Sequence, residues 1–167
     1  LAQPTLIDAN GRMLLGTDVL AALATLERLP VDAVGLNCST GPEEMRASVK
    51  ALAERCSHYV SVLPNAGMPE SVDGRAVYRL SPEALAEALA GFVRDYGVDI
   101  VGGCCGTTPE HMRAVVERIR ALERAGTPRR VRPPRAAELS SAMKAVPLAL
   151  EPRPLLVGER LHAQGSR

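Results

Sequence analysis

Residues 100–107 read Ile-Val-Gly-Gly-Cys-Cys-Gly-Thr. An apolar segment that runs into glycines is typical of a buried β-strand and its end. Here the strand leads directly into two adjacent cysteines, Cys104 and Cys105, set among three glycines. Residues 34–39, Val-Gly-Leu-Asn-Cys-Ser, have the same form, because an apolar strand again ends at a cysteine, Cys38. The two stretches predict strands that deliver thiols at their carboxyl ends.

Cys38, Cys104 and Cys105 are the candidate ligands of one metal ion. Consecutive side chains on a strand point to opposite faces, so the adjacent thiols converge only if the backbone leaves the extended conformation. The surrounding glycines allow this, because glycine adopts irregular conformations at little steric cost. Three thiolates at about 2.3 Å suit zinc, whose catalytic sites keep the fourth position open.

Three other interpretations of these cysteines stay open on sequence grounds. The adjacent pair could form a vicinal disulfide in a redox module, or could pack as two small buried hydrophobes. A metal ion that only stabilises the fold would use the same ligands. The lone cysteine at the end of another strand, Cys38, favours a shared metal site.

The composition limits the classes of protein. The 167 residues include 20 basic and 19 acidic side chains, which gives no electrostatic reason to expect nucleic acid or an anionic membrane as a partner. With no Trp, one Phe and three Tyr, the chain lacks a stacking platform for bases. No apolar run approaches the ~20 residues of a membrane span. Thiolate ligands suit a reducing compartment, so we expect a cytoplasmic protein.

Three strand–helix units are predicted, with strands at 31–36, 59–63 and 98–101. Nearly continuous apolar strands that alternate with helices indicate a parallel sheet covered by helices, hence the α/β class. An open doubly wound sheet and a (β/α)8 TIM barrel both fit, and in both the function lies at the carboxyl ends of the strands. The apolar helix faces are predicted as Met45, Val49, Leu52 and Cys56, then Leu85, Leu89, Phe92 and Tyr96, then Met112, Val115, Val116, Ile119 and Leu122.

Each of these helices is predicted to begin at a Pro-Glu pair, at 42–43, 82–83 and 109–110, preceded by Gly, Ser or Thr. Proline costs no hydrogen bond at the first helical position, the residue before it caps the helix, and the glutamate favours the positive end of the dipole. An earlier helix is predicted between Asp18, as its cap, and Pro30.

Several other polar residues have simpler explanations than a direct part in the chemistry. Cys56 lies on an apolar helix face, which predicts a buried structural thiol. His58 and His111 lie away from the strand ends, where surface or capping roles are expected. Thr107 and Thr108 are expected to serve the start of the third helix.

Residues 125–153 differ from the rest, because prolines are frequent and four arginines cluster near 129–135. This composition predicts an extended linker on the surface with solvated basic side chains. A new strand is predicted at 155–157.

Three motifs together resemble a known family. Gly-Leu-Asn-Cys at 35–38, Pro-Asn-Ala-Gly-Met-Pro at 64–69 and Gly-Gly-Cys-Cys-Gly-Thr-Thr-Pro at 102–109 are similar, in order and spacing, to the homocysteine-binding domain of the zinc-dependent homocysteine methyltransferases. The resemblance covers residues 4–122. Residues 157–167 resemble the opening of the pterin-binding domain of the cobalamin-dependent members. That order of modules favours them over the relatives that use betaine or S-methylmethionine.

The resemblance implies a zinc site at the strand ends of a (β/α)8 barrel, held by Cys38, Cys104 and Cys105. It implies that the Asn65 amide completes the shell before substrate arrives. The implied reaction is attack of a zinc-activated homocysteine thiolate on the methyl group of methylcobalamin, which gives methionine, with methyltetrahydrofolate as the methyl source. Homocysteine and the folate and cobalamin modules of the same enzyme are therefore the implied partners.

The resemblance also divides the chain. Residues 1–124 match the C-terminal part of the homocysteine-binding barrel, 125–153 a linker, and 154–167 the start of the pterin-binding (methyltetrahydrofolate-binding) domain. Glu159 matches a folate-contacting carboxylate, whereas His162 departs from the asparagine usual there. Since the match begins near the fifth barrel strand, we expect a fragment that is inactive alone.

Overall fold

The protein is described by a computed structural model, which covers residues 1–7, 10–148 and 154. Helices and strands alternate over most of its length, as the sequence predicts. The predictions for 155–157, Glu159 and His162 lie outside the described residues. In chain order the elements are α1 (Val19–Leu26), β1 (Ala33–Asn37), α2 (Pro42–Arg55), β2 (Tyr59–Leu63), β3 (Glu70–Val72), β4 (Arg75–Val77), α3 (Pro82–Gly91) with a π-helical turn (Phe92–Tyr96), β5 (Ile100–Val101), α4 (Pro109–Arg124), β6 (Glu138–Ser140) and β7 (Ala145–Pro147).

The central sheet is parallel, with the strand order β1-β2-β5. Within this sheet each strand is paired with the next of its own strands along the chain, while β3 and β4 form a separate hairpin. The carboxyl ends of the three strands therefore lie along one edge. Asn37 is paired with Leu63, and Val62 with Val101, so the residues that follow these three strands meet. The predicted parallel α/β arrangement is confirmed.

The core lies between this sheet and the helices that cover it. Strand side chains of β1 and β2 pack against apolar faces of α2 and α3. Most of this cluster is aliphatic, because aromatic residues are scarce in the chain. Burial of an aliphatic side chain contributes about 1.5–3 kcal/mol. Fully or almost fully buried are Val34, Leu36, Val60, Val62, Met45, Val49, Leu52, Cys56, Leu85, Leu89 and Phe92.

The predicted helix starts are confirmed. α2, α3 and α4 each begin at the proline of a Pro-Glu pair, and Asp18 caps α1 by accepting the Ala21 N–H at 2.7 Å. The predicted apolar face of α4 is wrong at one position, because Val116 is 46% exposed. Helix α4 buries a narrow stripe around Val115 and Leu122 against α3, which leaves Val116 outside it.

A short antiparallel hairpin, β3–β4, interrupts the connection between β2 and α3 and was not predicted. Its strands pair Val72 with Arg75 around a two-residue turn, Asp73-Gly74. Both turn residues have positive φ, 50° and 74°, as a type I′ turn requires. The Asp-Gly pair is therefore the local signal that could have located the hairpin. The hairpin leads into Tyr78, close to the strand ends.

The predicted linker contains a second unpredicted hairpin, β6–β7, which packs on α1. The Ser140 hydroxyl donates to the Ala21 carbonyl at 2.9 Å, and the Asp18 N–H donates to the Met143 carbonyl at 3.3 Å. These contacts attach the segment that follows α4 to the first helix.

The prediction of solvated arginines in this segment is wrong for Arg130, whose side chain is 9% exposed. Its guanidinium donates to the carbonyls of Ala53, Cys56 and His58 at 2.7–2.9 Å, and Asp99 lies 3.5 Å away. The planar fork of arginine can reach several acceptors at once. Arg130 therefore joins the end of α2 to the beginnings of β2 and β5.

Replacement of Arg130 by methionine is expected to lower the free energy of unfolding by about 2 kcal/mol, because three carbonyls lose a charged donor. Urea unfolding followed by circular dichroism measures this. Arg129→Met is the matched control, since Arg129 is exposed, and should change stability by less than about 0.5 kcal/mol. Equal changes in the free energy of unfolding for the two substitutions would show that the hydrogen bonds of Arg130 do not stabilise the fold.

Within the described ranges, no helix combines the length and the hydropathy that a membrane span needs.

Candidate metal centre

The structure brings together the thiols of Cys38, Cys104 and Cys105. The sulfur of Cys105 lies 3.6 Å from that of Cys38 and 3.9 Å from that of Cys104. All three sulfurs lie within 4.8 Å of one another, and they are the one group of three or more His, Cys, Asp or Glu ligands so placed among the described residues. The cluster lies where β1 and β5 end, as the sequence predicts.

Cys38 reaches this point through an unusual backbone conformation. Cys38 and Ser39 have φ values of 61° and 67°, in the left-handed region that residues with a side chain rarely adopt. The turn is held by bonds from Cys38 N–H to the Leu63 carbonyl at 3.0 Å and from Thr40 N–H to the Cys38 carbonyl at 2.8 Å. Backbone strain of this kind often marks functional sites.

The adjacent pair is held by the loop that follows β2. Cys104 N–H donates to the Pro64 carbonyl at 2.8 Å, and Ala66 N–H donates to the Cys105 carbonyl at 2.9 Å. The Asn65 side chain, 2% exposed, accepts the Cys105 N–H on Oδ1 at 3.1 Å. Asn65 therefore lies beside the cluster and orients Cys105, and its part as a ligand stays a prediction.

The glycines around the cysteine pair are needed for different reasons. Of the three glycines around the pair, Gly106 has a positive φ, 77°, whereas Gly103 is needed for space. A Cβ on Gly103 would lie 2.4 Å from the Thr107 methyl carbon. The Thr107 hydroxyl folds back onto the Cys104 carbonyl at 2.6 Å, so this threonine holds the cysteine loop and does not cap the helix, contrary to expectation.

The start of α4 supports the same loop. Thr108 is the N-cap, and its N–H donates to His111 Nδ1 at 3.2 Å. The capping role expected for His111 is confirmed, and its Nε2 bonds to the Leu80 carbonyl at 2.9 Å. His58 lies at the beginning of β2, away from the cluster. Its Nε2 is buried and has no partner among the described atoms.

The three thiols of the cluster influence one another's ionisation. The pKa of Cys38 is lowered, mainly because the Ser39 backbone hydrogen-bonds its sulfur, with burial acting the other way and the two neighbouring thiols lowering the pKa further. Burial, followed by the hydrogen bonds with Cys38 and Cys105, raises the pKa of Cys104 to about 11. Three adjacent thiolates repel one another, so full ionisation requires a compensating positive charge. Metal binding would therefore release protons.

The donor set fits a thiophilic ion. Sulfurs at about 2.3 Å from zinc in a tetrahedron lie about 3.8 Å apart, and the two closest pairs are separated by 3.6 and 3.9 Å. A disulfide needs about 2.05 Å, and all four cysteines are free. Cys56 is not part of the group, since it is fully buried and its thiol donates to the His58 carbonyl at 3.7 Å.

One neighbour of the cluster was not anticipated. The pKa of the Tyr78 hydroxyl is raised, first by partial desolvation and then by the charge of Cys105 and a hydrogen bond with it. No local pattern indicates that Tyr78 lies near the cluster, because it precedes Cys105 by 27 positions; the fold brings its side chain against Gly106.

The chain is similar in sequence to known proteins. The family model described as homocysteine S-methyltransferase matches residues 2–119. The chain is 44% identical over 162 residues to the methionine synthase of Mycobacterium leprae (strain TN), and 43% identical over 161 residues to that of Mycobacterium tuberculosis (strain ATCC 25618 / H37Rv). Each match covers 96% of this chain and 13% of the relative. The chain thus spans about 13% of the length of these curated relatives.

The matched region includes β1, β2 and β5, and it contains all three thiols of the cluster. This chain belongs to the homocysteine S-methyltransferase family.

Proposed function

We propose that this chain provides the zinc site of a methionine synthase, where homocysteine is methylated to methionine. Cys38, Cys104 and Cys105 would hold the ion. The observation that carries the proposal is the convergence of three thiols from two strand ends, with spacings of 3.6 and 3.9 Å that suit one tetrahedral ion.

Zinc, when bound, would lower the pKa of the homocysteine thiol and present it as a thiolate nucleophile toward the methyl group of methylcobalamin. Free thiols have a pKa near 8.5 and are mostly protonated at neutral pH. The chain's own part is to supply three anionic ligands, which leave the metal centre electron-rich and so preserve the nucleophilicity of an added thiolate. Cobalamin and methyltetrahydrofolate would be bound by parts of the enzyme outside this chain.

The fourth coordination position is proposed to be the substrate site. Among the described residues no fourth Cys, His, Asp or Glu joins the cluster, and Cys105 is exposed, so an incoming thiol has access. Asn65 is our candidate for the ligand that occupies this position before substrate binds. Its Oδ1 accepts the Cys105 N–H, so ligation through that oxygen would replace or share this bond.

The proposed architecture is the C-terminal part of a (β/α)8 barrel at residues 1–124. The sequential strand order β1-β2-β5 supports it, since neighbouring strands of such a barrel follow one another in the chain. Residues 125–153 are proposed as a linker and 154–167 as the start of a pterin-binding domain, with Glu159 as a folate contact. The similarity to methionine synthases over 96% of the chain supports this division.

A zinc ion that only stabilises the fold is the second candidate, and substrate-dependent coordination separates the two. X-ray absorption at the zinc edge of the zinc-loaded protein is expected to show about three sulfur neighbours without substrate and about four with homocysteine. Homoserine is the matched control ligand, because it has the same chain with a hydroxyl in place of the thiol.

Homoserine should leave the sulfur count unchanged. An unchanged count with saturating homocysteine, in a protein that holds one zinc ion, would contradict the proposed function and favour a structural ion. A protein that takes up no zinc would contradict both candidates.

A further inference from the structure

The β6–β7 hairpin presents apolar side chains on the face that points away from the helices beneath it. Leu139 and Val146 are directly opposite each other in its register, and such a pair lies on one face of an antiparallel ladder. The strand positions on either side of Leu139 point the other way. The Ser140 hydroxyl bonds to α1, and the Glu138 side chain, 4% exposed, forms an ion pair with Arg55 of α2. Leu139 and Val146 therefore face outward, and each is 56% exposed.

The apolar surface continues at the tip of the hairpin. Met143, in the turn between the two strands, contacts the loop before α1, because a Cβ on Gly16 would lie 2.6 Å from its methyl carbon. Leu14 and Leu15 immediately precede this glycine and are exposed. Isolated apolar side chains are ordinary on a protein surface, whereas a group of them marks an interaction site. The hairpin patch consists of five side chains that are 48% to 86% exposed, Leu14, Leu15, Leu139, Met143 and Val146.

The hairpin patch has a fixed base. A two-stranded hairpin is marginally stable by itself, and this one is held through its inner face by the Ser140 and Glu138 contacts. Its turn is closed by the Ser141 N–H, which donates to the Lys144 carbonyl at 2.9 Å. The tip is attached to the start of α1 by the bond between the Asp18 N–H and the Met143 carbonyl. The patch is therefore presented in a defined position.

The size of the hairpin patch indicates what kind of partner covers it. Five side chains offer on the order of a few hundred Å² of apolar surface, whereas a stable complex of separate proteins buries about 800 Å² on each partner. This argues against a second copy of the chain. A smaller surface is sufficient for a domain of the same polypeptide, because a short tether gives an effective concentration of about 1 mM.

The length of the chain after the hairpin brings such a domain to the patch. Strand β7 ends at Pro147, and the proposed pterin-binding domain starts at residue 154. Residues 148–154 span at most about 25 Å when fully extended. Because Val146 lies beside the end of β7, the start of that domain is within this distance of the patch.

We propose that the hairpin patch is the docking surface for the domain that starts at residue 154, which would cover it with apolar side chains of its own. This inference rests on the proposed function, which divides the chain at that residue. Residues 125–148 would then be a mount that belongs to the first domain and positions the second one.

Hydroxyl-radical footprinting of the full-length enzyme, of which this chain is proposed to be a part, tests the docking. The radicals oxidise accessible side chains, and peptide mass spectrometry gives the oxidation rate of Met143. Leu139→Glu places a charge in the docking surface and should raise that rate roughly three- to tenfold, because a tethered domain with an affinity of about 0.1–0.5 mM is docked most of the time. Val116→Glu is the matched control, since Val116 is 46% exposed on α4, and it should leave the rate unchanged.

The same substitution in the 167-residue chain separates docking from loosening of the hairpin. Here Met143 is already accessible, so Leu139→Glu should change its oxidation rate by less than about 1.5-fold. An equal rise in the short and the full-length protein would overturn the inference, because the hairpin itself would then have loosened. An unchanged rate in full-length Leu139→Glu would overturn it as well.

Sedimentation of the 167-residue chain tests the competing occupant. We expect Leu139→Glu to leave its oligomeric state unchanged. A dimer that this substitution dissociates would assign the hairpin patch to self-association and overturn the inference. The footprint does not depend on zinc, so its failure in an enzyme that binds zinc and homocysteine would overturn this inference alone. Conversely, the expected footprint in an enzyme that takes up no zinc would contradict the proposed zinc site and support the docking surface.

Discussion

Replacement of Cys38 by alanine is expected to lower the zinc affinity of the protein about 100- to 1000-fold. Apparent zinc-binding energies of about 10–16 kcal/mol are shared among four ligands, so one thiolate accounts for roughly 2.5–4 kcal/mol. Cys38 alone links β1 to the site, whereas Cys104 and Cys105 belong to one loop. Without Cys38 the remaining pair has no protein partner among the described cysteines, because Cys56 is buried elsewhere.

Competition with a chromophoric chelator measures this loss, and metal analysis after dialysis gives the stoichiometry. Cys56→Ala is the matched control. It removes a thiol that contacts the His58 carbonyl and lies outside the cluster, so the affinity should change by less than about twofold. Wild-type affinity in Cys38→Ala would contradict the assignment of the site, as would an equal loss in the control.

Replacement of Gly35 by alanine is expected to lower the free energy of unfolding by about 3 kcal/mol. Gly35 is the middle residue of β1 and is paired with Ser61 of β2, and a Cβ there would lie 2.0 Å from the Ser61 carbonyl oxygen. That oxygen belongs to the backbone and cannot rotate away. The two strands must therefore separate, which opens the core and also displaces Cys38 from the loop after β2.

Urea unfolding measures the stability change, and chelator competition on the folded fraction measures the effect on the site. Gly91→Ala is the matched control, because the nearest atom to its added Cβ is the Asp95 carboxylate at 3.8 Å and its backbone is helical. This control should be neutral or stabilising by up to about 1 kcal/mol. A Gly35→Ala protein as stable as the control would contradict the close approach of β1 and β2.

The parts of the fold that were predictable depend on chemistry between near neighbours in the chain. Asp18 caps α1 by accepting the N–H of Ala21, three residues later. Pro-Glu pairs begin three other helices. β2 matches its predicted bounds of 59–63, since β-branched and apolar residues fill it. Where a neighbour in space decided the outcome, prediction failed. Val116 has a place in the apolar pattern of α4, yet in the described part of the chain it is 46% exposed.

Arg130 is a second residue whose environment could not be predicted from its neighbours in the chain. Its sequence surroundings, rich in proline and arginine, indicate a solvated segment. Its guanidinium instead donates to three backbone carbonyls near the end of α2 and the start of β2. Those acceptors lie more than 70 positions earlier in the chain, so no local pattern reports them.

For the site, local sequence patterns were sufficient to predict that three thiols follow strands, because apolar periodicity and glycine placement are properties of near neighbours in the chain. That the sulfurs lie 3.6 and 3.9 Å apart was decided by the tertiary structure, through the parallel register of β1, β2 and β5. The tertiary structure also decided that Asn65 holds Cys105 and that the Tyr78 ring packs on Gly106. The hydrogen bond between Asn65 and Cys105 joins residues 40 positions apart, and contacts over such separations exist only after the core has packed.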